Sequence, residues 1–257
     1  MTGTTPVILV TGASRGLGYN IAEKLLRAPC KAKVVAVARS EGGLKELEGK
    51  YPGQFVYTTG DLSDYETGVK AVKLAIEKFG YLSGIVFNAA VIAPVAKIAD
   101  VNIADFKKLF DINFFSSLVT LKAAIPYLRE SKGNVVFVSS EASMESHFYG
   151  WEAYGSSKAC VNHLAATLAV EEPDILAFSV DPGVMDSAMQ QEIREKHGGA
   201  MTTQHIEYLV NVKENGTIAS TDPPATVISN MVLTGPKELN GSYHAFNSEI
   251  LSPFLTA

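Results

Sequence analysis

A chain of 257 residues with 47% hydrophobic and 19% charged residues has an ordinary globular composition and is too apolar for a disordered one. Its 22 Lys and Arg against 27 Asp and Glu leave a formal net charge of −5, which disfavours nucleic-acid binding, since a basic excess is expected there. Only two cysteines, Cys30 and Cys160, are present, so neither a disulfide framework nor a Cys-type zinc site is expected.

Free thiols fit a reducing, cytoplasmic setting. No uncharged apolar run reaches the roughly 18 residues that a membrane span needs. Residues 1–6 show no positive region leading into a long apolar stretch, so no signal peptide is expected.

Val7-Ile8-Leu9-Val10 is a short β-branched run bounded by Pro6 and Gly12, which reads as a buried strand. A glycine-rich turn follows, and then Leu17, Ile21, Leu25 and Leu26 recur at helical spacing. The cycle repeats: strand at 34–38, short helix at 44–47, strand at 55–59. Val69, Val72, Ile76 and Phe79 mark a longer helix that closes at Gly80, followed by a strand at 85–87. A long helix is expected within 106–128, a strand at 135–138, a helix at 153–170 and a strand at 175–180.

Residues 184–222 are polar, Met-rich and broken by Gly198 and Gly199, and read as a mobile insertion over a binding site. A helix after Pro223-Pro224 and a short strand at 243–246 close the chain. Apolar strands alternating with amphipathic helices predict a parallel sheet covered on both faces. The expected fold is therefore α/β, a doubly wound, Rossmann-type three-layer domain spanning residues 1–257.

The first turn, Thr11-Gly12-Ala13-Ser14-Arg15-Gly16-Leu17-Gly18, lies between strand and helix, the context that gives a glycine motif meaning. Gly12 permits the sharp turn, Gly16 lets backbone approach a pyrophosphate, and Gly18 lets the helix pack on the sheet. The helix N-terminus then offers unpaired N–H groups to phosphate. NAD binders carry an acid about 20 residues further on. Here Ala38 stands at that position, with Arg39 next to it and Arg15 inside the turn. Two guanidiniums and no acid favour NADP over NAD. Asp61 either accepts from an adenine amino group or serves as a turn residue. Asn88 lies at the carboxyl edge of the sheet, where ligands bind.

Tyr154 and Lys158 stand four apart on a helix and share a face. A phenol titrates near pKa ~10. A nearby cation pulls that value toward working pH, where acid–base catalysis is most effective. Ser140, 14 residues before Tyr154 at the end of the preceding strand, can face a substrate carbonyl, with Ser139 and Ser143 as rivals. Asn113, within an otherwise apolar helix, either satisfies a buried backbone group or holds a water beside Lys158.

These residues, with Asn88-Ala89-Ala90 and Asp181-Pro182-Gly183, resemble the main single-domain branch of the short-chain dehydrogenase/reductase family over nearly the whole chain. The segments from Phe137 to Ser143 and from Gly150 to Gly155 look like the fungal benzil reductases, relatives of sepiapterin reductase. The resemblance implies an NADP(H)-dependent carbonyl reductase acting on a small, apolar or aromatic (di)carbonyl.

On this resemblance Tyr154 is the proton donor, and Lys158 binds the nicotinamide ribose and lowers the tyrosine pKa. Ser140 polarises the carbonyl and Asn113 supports a relay water. The implied cofactor set is Gly12, Ser14, Arg15, Gly16, Leu17, Gly18, Arg39, Asp61, Leu62, Asn88, Ala89, Tyr154, Lys158, Pro182, Gly183, Val184 and Ser187. The pocket wall is expected at 144–151, with Phe148, Tyr149, Trp151, Met185 and Met189. A homodimer or homotetramer is implied, paired through the two long helices.

Three departures from the family stand out. Ala90 replaces the family's usual glycine, Ser187 replaces a threonine, and the serine-to-tyrosine spacing is one residue longer. The rival readings are a non-catalytic NADP-binding sensor or scaffold and an NAD-dependent alcohol dehydrogenase of the same family.

Overall fold

Short apolar runs form a parallel sheet because each strand is buried on both faces and alternate side chains serve different cores. In β1 (Val7–Thr11), Ile8 and Val10 enter one core while Val7 and Leu9 enter the other. The computed structural model describes residues 5–145 and 148–256. Residues 146 and 147, part of the expected pocket wall, and residues 1–4 lie outside it.

After β1 come α1 (Gly16–Leu26), β2 (Lys33–Ala38), α2 (Gly42–Lys50), β3 (Phe55–Thr59), α3 (Tyr65–Phe79) and β4 (Gly84–Phe87). Asp64 caps α3 by accepting from Glu66 N at 3.2 Å, and Gly80 ends it at φ 85°, a left-handed value suited to glycine. The strand order is β3-β2-β1-β4-β5-β6-β7, where β5 is Asn134–Val138, β6 Leu176–Asp181 and β7 Tyr243–Ala245. Every neighbouring pair is parallel. Helices cover both faces, as expected for a doubly wound fold. The order reverses between β1 and β4, which opens a crevice at the carboxyl ends of these strands.

The helix expected within 106–128 is longer and interrupted. It runs as α4 (Ile103–Phe110), a π-turn at Asp111–Phe115, and α5 (Ser116–Ser131). Asn102 starts it early by accepting from Ala104 N and Asp105 N. The continuous run Ile103–Ser131 is long and apolar enough by composition to cross a bilayer. Here α5 packs on α3, and α4 packs on α6 (Glu152–Glu171).

The segment read as a loose insertion is largely helical. It contains α7 (Ala188–Lys196), a 3-10 turn at Gly198–Ala200 and α8 (Thr203–Glu214). Ser187 caps α7 through Gln190 N, and Thr202 caps α8 through His205 N. Ile193, Met189, Met201 and Leu209 give these helices an apolar face. That face packs with Trp151, Tyr154, Phe106 and Phe110 in a third core, separate from the two beside the sheet. α9 (Asp222–Thr234), with Pro223 and Pro224 in its first turn, covers the sheet together with α1.

Candidate active site

The crevice at the switch point is a cavity of about 420 Å3. Its floor is the glycine turn. Gly12 sits at φ 73°, and a Cβ there would meet Ala89 Cα at 2.9 Å. Gly18 is tighter still, because its Cβ would lie 2.4 Å from both the Gly12 carbonyl oxygen and Asn88 Nδ2. Asn88 clamps the turn: its Nδ2 donates to the Thr11 carbonyl at 2.9 Å and the Gly12 carbonyl at 3.3 Å. Thr11 Oγ1 accepts from the backbone N–H groups of Asn88 and Ala89, each at 3.0 Å.

Thr11 thus couples β1 to β4, a role visible only once the strands are placed side by side. Gly18→Ala should cost about 1–3 kcal/mol of stability through overpacking, and thermal melts read that loss as a lower Tm.

At the far end Ala38 ends β2, with the exposed Arg15 and Arg39 on the rim. Asp61 Oδ1 accepts from Ser63 N at 2.9 Å and Ser63 Oγ at 2.8 Å, so the turn role is the one seen. That hydrogen bonding, with a smaller contribution from Arg39, holds its carboxyl below the usual range. Leu62 and Ala89 also line the cavity.

α6 carries Tyr154 and Lys158 to the inner end, where they are 7% and 3% exposed. Lys158 Nζ donates to the Val138 carbonyl at 2.7 Å and lies 5.7 Å from the centroid of the Tyr154 ring. Burial pushes its ammonium down to about 8. The same burial holds Tyr154 well above its ordinary value. Burial therefore outweighs the neighbouring Lys158 in setting the phenol. Desolvation dominates, and the group that lowers the phenol is the Ser140 hydroxyl hydrogen-bonded to it.

Among the three candidate serines, Ser140 is thus the one at the tyrosine hydroxyl, and its Oγ also accepts from Ala142 N at 3.3 Å. Ser143 Oγ instead donates to the Ser140 carbonyl at 2.6 Å, and Ser139 Oγ lies 3.4 Å from Ser143 Oγ. Asn113 sits inside the π-turn. Its Oδ1 accepts from Val91 N at 2.9 Å, and its Nδ2 donates to the Val91 carbonyl at 2.9 Å and to Ser157 Oγ at 3.2 Å. Of the two readings of Asn113, the structure shows the buried-backbone one. Both N–H donors of the amide are engaged, and Oδ1 keeps one accepting lone pair beyond Val91 N.

Of the expected residues, Gly12, Ser14, Arg15, Gly16, Leu17, Gly18, Arg39, Asn88, Pro182 and Ser187 also face the cavity, while Gly183, Val184, Asn113 and Ser140 are not on its wall. Val184 is exposed. Gly183, at φ 67°, forms the turn whose N–H reaches Asp181 Oδ1 at 2.9 Å. Sequence reasoning missed Val91, Ile112 and Ala188 on the wall. They carry no polar signal and arrive through the extension of β4, the π-turn and α7.

The family model for short chain dehydrogenase matches residues 6–198. An uncharacterized oxidoreductase of Saccharomyces cerevisiae is 41% identical over 251 residues, covering 97% of this chain and 98% of that protein. The benzil reductase ((S)-benzoin forming) of Saccharomyces cerevisiae is 39% identical over 258 residues, covering 96% of this chain and 98% of that protein. The crystal structure of a short chain dehydrogenase/reductase from Saccharomyces cerevisiae superposes with a TM-score of 0.94 at 40% identity, covering 98% of this chain and all of that one. The chain belongs to the short-chain dehydrogenase/reductase family, whose members are oxidoreductases that bind a nicotinamide cofactor.

Proposed function

We propose that the protein is an NADPH-dependent carbonyl reductase that converts an apolar or aromatic ketone, aldehyde or dicarbonyl to the alcohol. The observation that carries this reading is the Tyr154 hydroxyl. It is buried, held in its protonated form, and hydrogen-bonded to Ser140 beside a cavity that begins at a glycine cradle.

The cradle fits a dinucleotide. α1 has no side-chain cap and no acid in its first turn, so its free N–H groups meet an anion without competition. Gly12 and Gly18 let the turn close tightly against Asn88 and Ala89, and Gly16, at φ 58°, has open space where a Cβ would stand. Ser14, Gly16 and Leu17 would lie along the pyrophosphate, Arg15 and Arg39 on a 2′-phosphate, and Asp61 and Leu62 at the adenine. Asn88, Ala89, Lys158, Pro182, Gly183, Val184 and Ser187 would hold the nicotinamide end. A bound reduced nicotinamide supplies the hydride.

Tyr154 donates its proton to the carbonyl oxygen, and Ser140 donates a hydrogen bond to the same oxygen as charge develops there. Lys158, as an ammonium, offsets the charge left on the phenol oxygen. Asn113 acts through Val91, whose backbone it fixes at the cavity wall.

The third core supports an apolar substrate. Trp151 stacks on Phe148 with centroids 5.1 Å apart and meets Tyr154 edge-on at 5.9 Å. His205 of α8 closes on both Phe148 and Trp151, which suits α7 and α8 to act as a lid. Met185 and Met189 line the cavity, whereas Tyr149 is exposed. The similarity to a benzil reductase points to an aromatic diketone.

The test follows oxidation of NADPH by its absorbance against a panel of α-dicarbonyls, with NADH in parallel. Absence of turnover on every member would overturn the reading. Replacing the rim cations in Arg15→Ala/Arg39→Asp should raise the KM for NADPH by about 10- to 100-fold, the range expected for lost charge-assisted contacts, and should favour NADH.

The free Cys30 and Cys160 support a cytoplasmic location. Exposed Phe115 and Leu118 on the α4–α5 run and Val170 on α6 support pairing of the chain into a homodimer or homotetramer.

A further inference from the structure

Asp181, the last residue of β6, is a buried carboxylate that forms no salt bridge among the described residues. Val138 and Val180 are register partners, and both face the core on the α9 side. Asp181 is one residue beyond Val180, so its side chain points to the opposite face of the sheet, the one covered by α6. Lys158 rests on the carbonyl of Val138, at the same carboxyl edge of the adjacent strand.

The hydrogen-bond partners of Asp181 are all neutral donors. Gly183 N donates to Oδ1 at 2.9 Å, Tyr243 Oη donates to Oδ2 at 3.3 Å, and the Glu141 backbone N–H also donates. The titratable groups facing it are Tyr154 and Lys158 from α6 and Tyr243 from β7, and the Glu141 and Glu145 carboxylates act on Tyr243.

We propose that Asp181 is a positioning residue for the Tyr154–Lys158 pair, acting through the negative charge of its buried carboxylate. The inference rests on the reading of that pair as the reacting one. A turn capped through Gly183 N does not require a charge, because an asparagine or serine oxygen accepts the same bond. Burying a carboxylate without a cation in contact is costly. The benefit falls on the pair. The carboxylate opposes the desolvation of Lys158 and keeps its ammonium charged. It also disfavours a phenolate at Tyr154, a cost that the Lys158 ammonium it maintains offsets when the proton leaves.

The test measures the titration of Lys158 directly. Acetic anhydride labels lysines only as free amines, and the Lys158 peptide is quantified by mass spectrometry across a pH series. In Asp181→Asn the midpoint should fall by roughly one pH unit relative to the parent protein, the size expected when one nearby opposite charge is lost. Asp181→Ser, also neutral but differently shaped, should move it the same way, and Asp181→Glu should return it toward the parent value. The alkaline limb of carbonyl reduction should move with the midpoint.

A midpoint unmoved in both neutral variants overturns the proposal, because a purely structural cap would leave the titration in place. Should Asp181→Asn fail to fold, Asp181→Ser decides alone. A shifted midpoint in a protein that reduces no carbonyl would support Asp181 and sink the reductase reading, so the two failures are distinguishable.

Discussion

Tyr154→Phe should lower kcat for diketone reduction by about 10²- to 10⁴-fold, the range for losing a positioned general acid, with little change in fold or in NADPH binding. The phenyl ring keeps the packing of Tyr154 against Trp151 and the third core, so only the hydroxyl is removed. The proton source is then lost, and Ser140 is left with no phenol beside the substrate oxygen.

The pH profile carries the same signature. Burial keeps Tyr154 protonated through the neutral range, so the alkaline limb of the parent enzyme belongs to Lys158, at about 8. Reduction should hold level below that pH and fall above it, as the ammonium is lost. Single-turnover oxidation of NADPH separates this chemical step from product release. Equal rates for Tyr154→Phe and the parent protein would defeat the assignment.

The layered fold was readable because every central strand is a short apolar run between punctuating residues. Burial on both faces leaves no alternation to confuse, and Gly80 and the paired prolines mark helix ends. The glycine cradle was readable for a related reason. Only glycine tolerates φ 73° at Gly12 or the 2.4 Å approach at Gly18, so local backbone demand is written directly into residue type.

Other features escaped because they are properties of the assembled molecule. α7 and α8 are polar and glycine-flanked, and their apolar residues make sense only against Trp151 and Phe106. The π-turn at Asp111–Phe115 has no composition signal, yet it turns Asn113 toward the backbone of Val91. The four-residue spacing of Tyr154 and Lys158 predicted proximity correctly. It could not predict that both would be so buried that desolvation outweighs their mutual influence.

Desolvation of Lys158 also sets a stability cost that its replacement should remove. Lys158→Met keeps a long apolar stem and deletes the charge. The folded-state pKa of about 8 lies below the ordinary lysine value of 10.5, so the folded protein shifts toward the neutral amine. At neutral pH both folded and unfolded states carry the proton, and the full penalty applies, about 3 kcal/mol at 1.36 kcal/mol per unit.

Losing the Nζ hydrogen bond to the Val138 carbonyl offsets about 1 kcal/mol. A net gain of about 2 kcal/mol corresponds to a Tm higher by about 4–8 °C for a chain of this size. The gain should shrink as pH rises from about 8 toward 10.5, because the parent protein then sheds the proton and its penalty. Thermal melts of both proteins across that range test the sign. A variant less stable than the parent at neutral pH, or a gain that grows with pH, would refute the desolvated ammonium. Carbonyl reduction should be lost in the stabilised variant, because the charge that destabilises the fold is the one the phenol oxygen requires when its proton leaves.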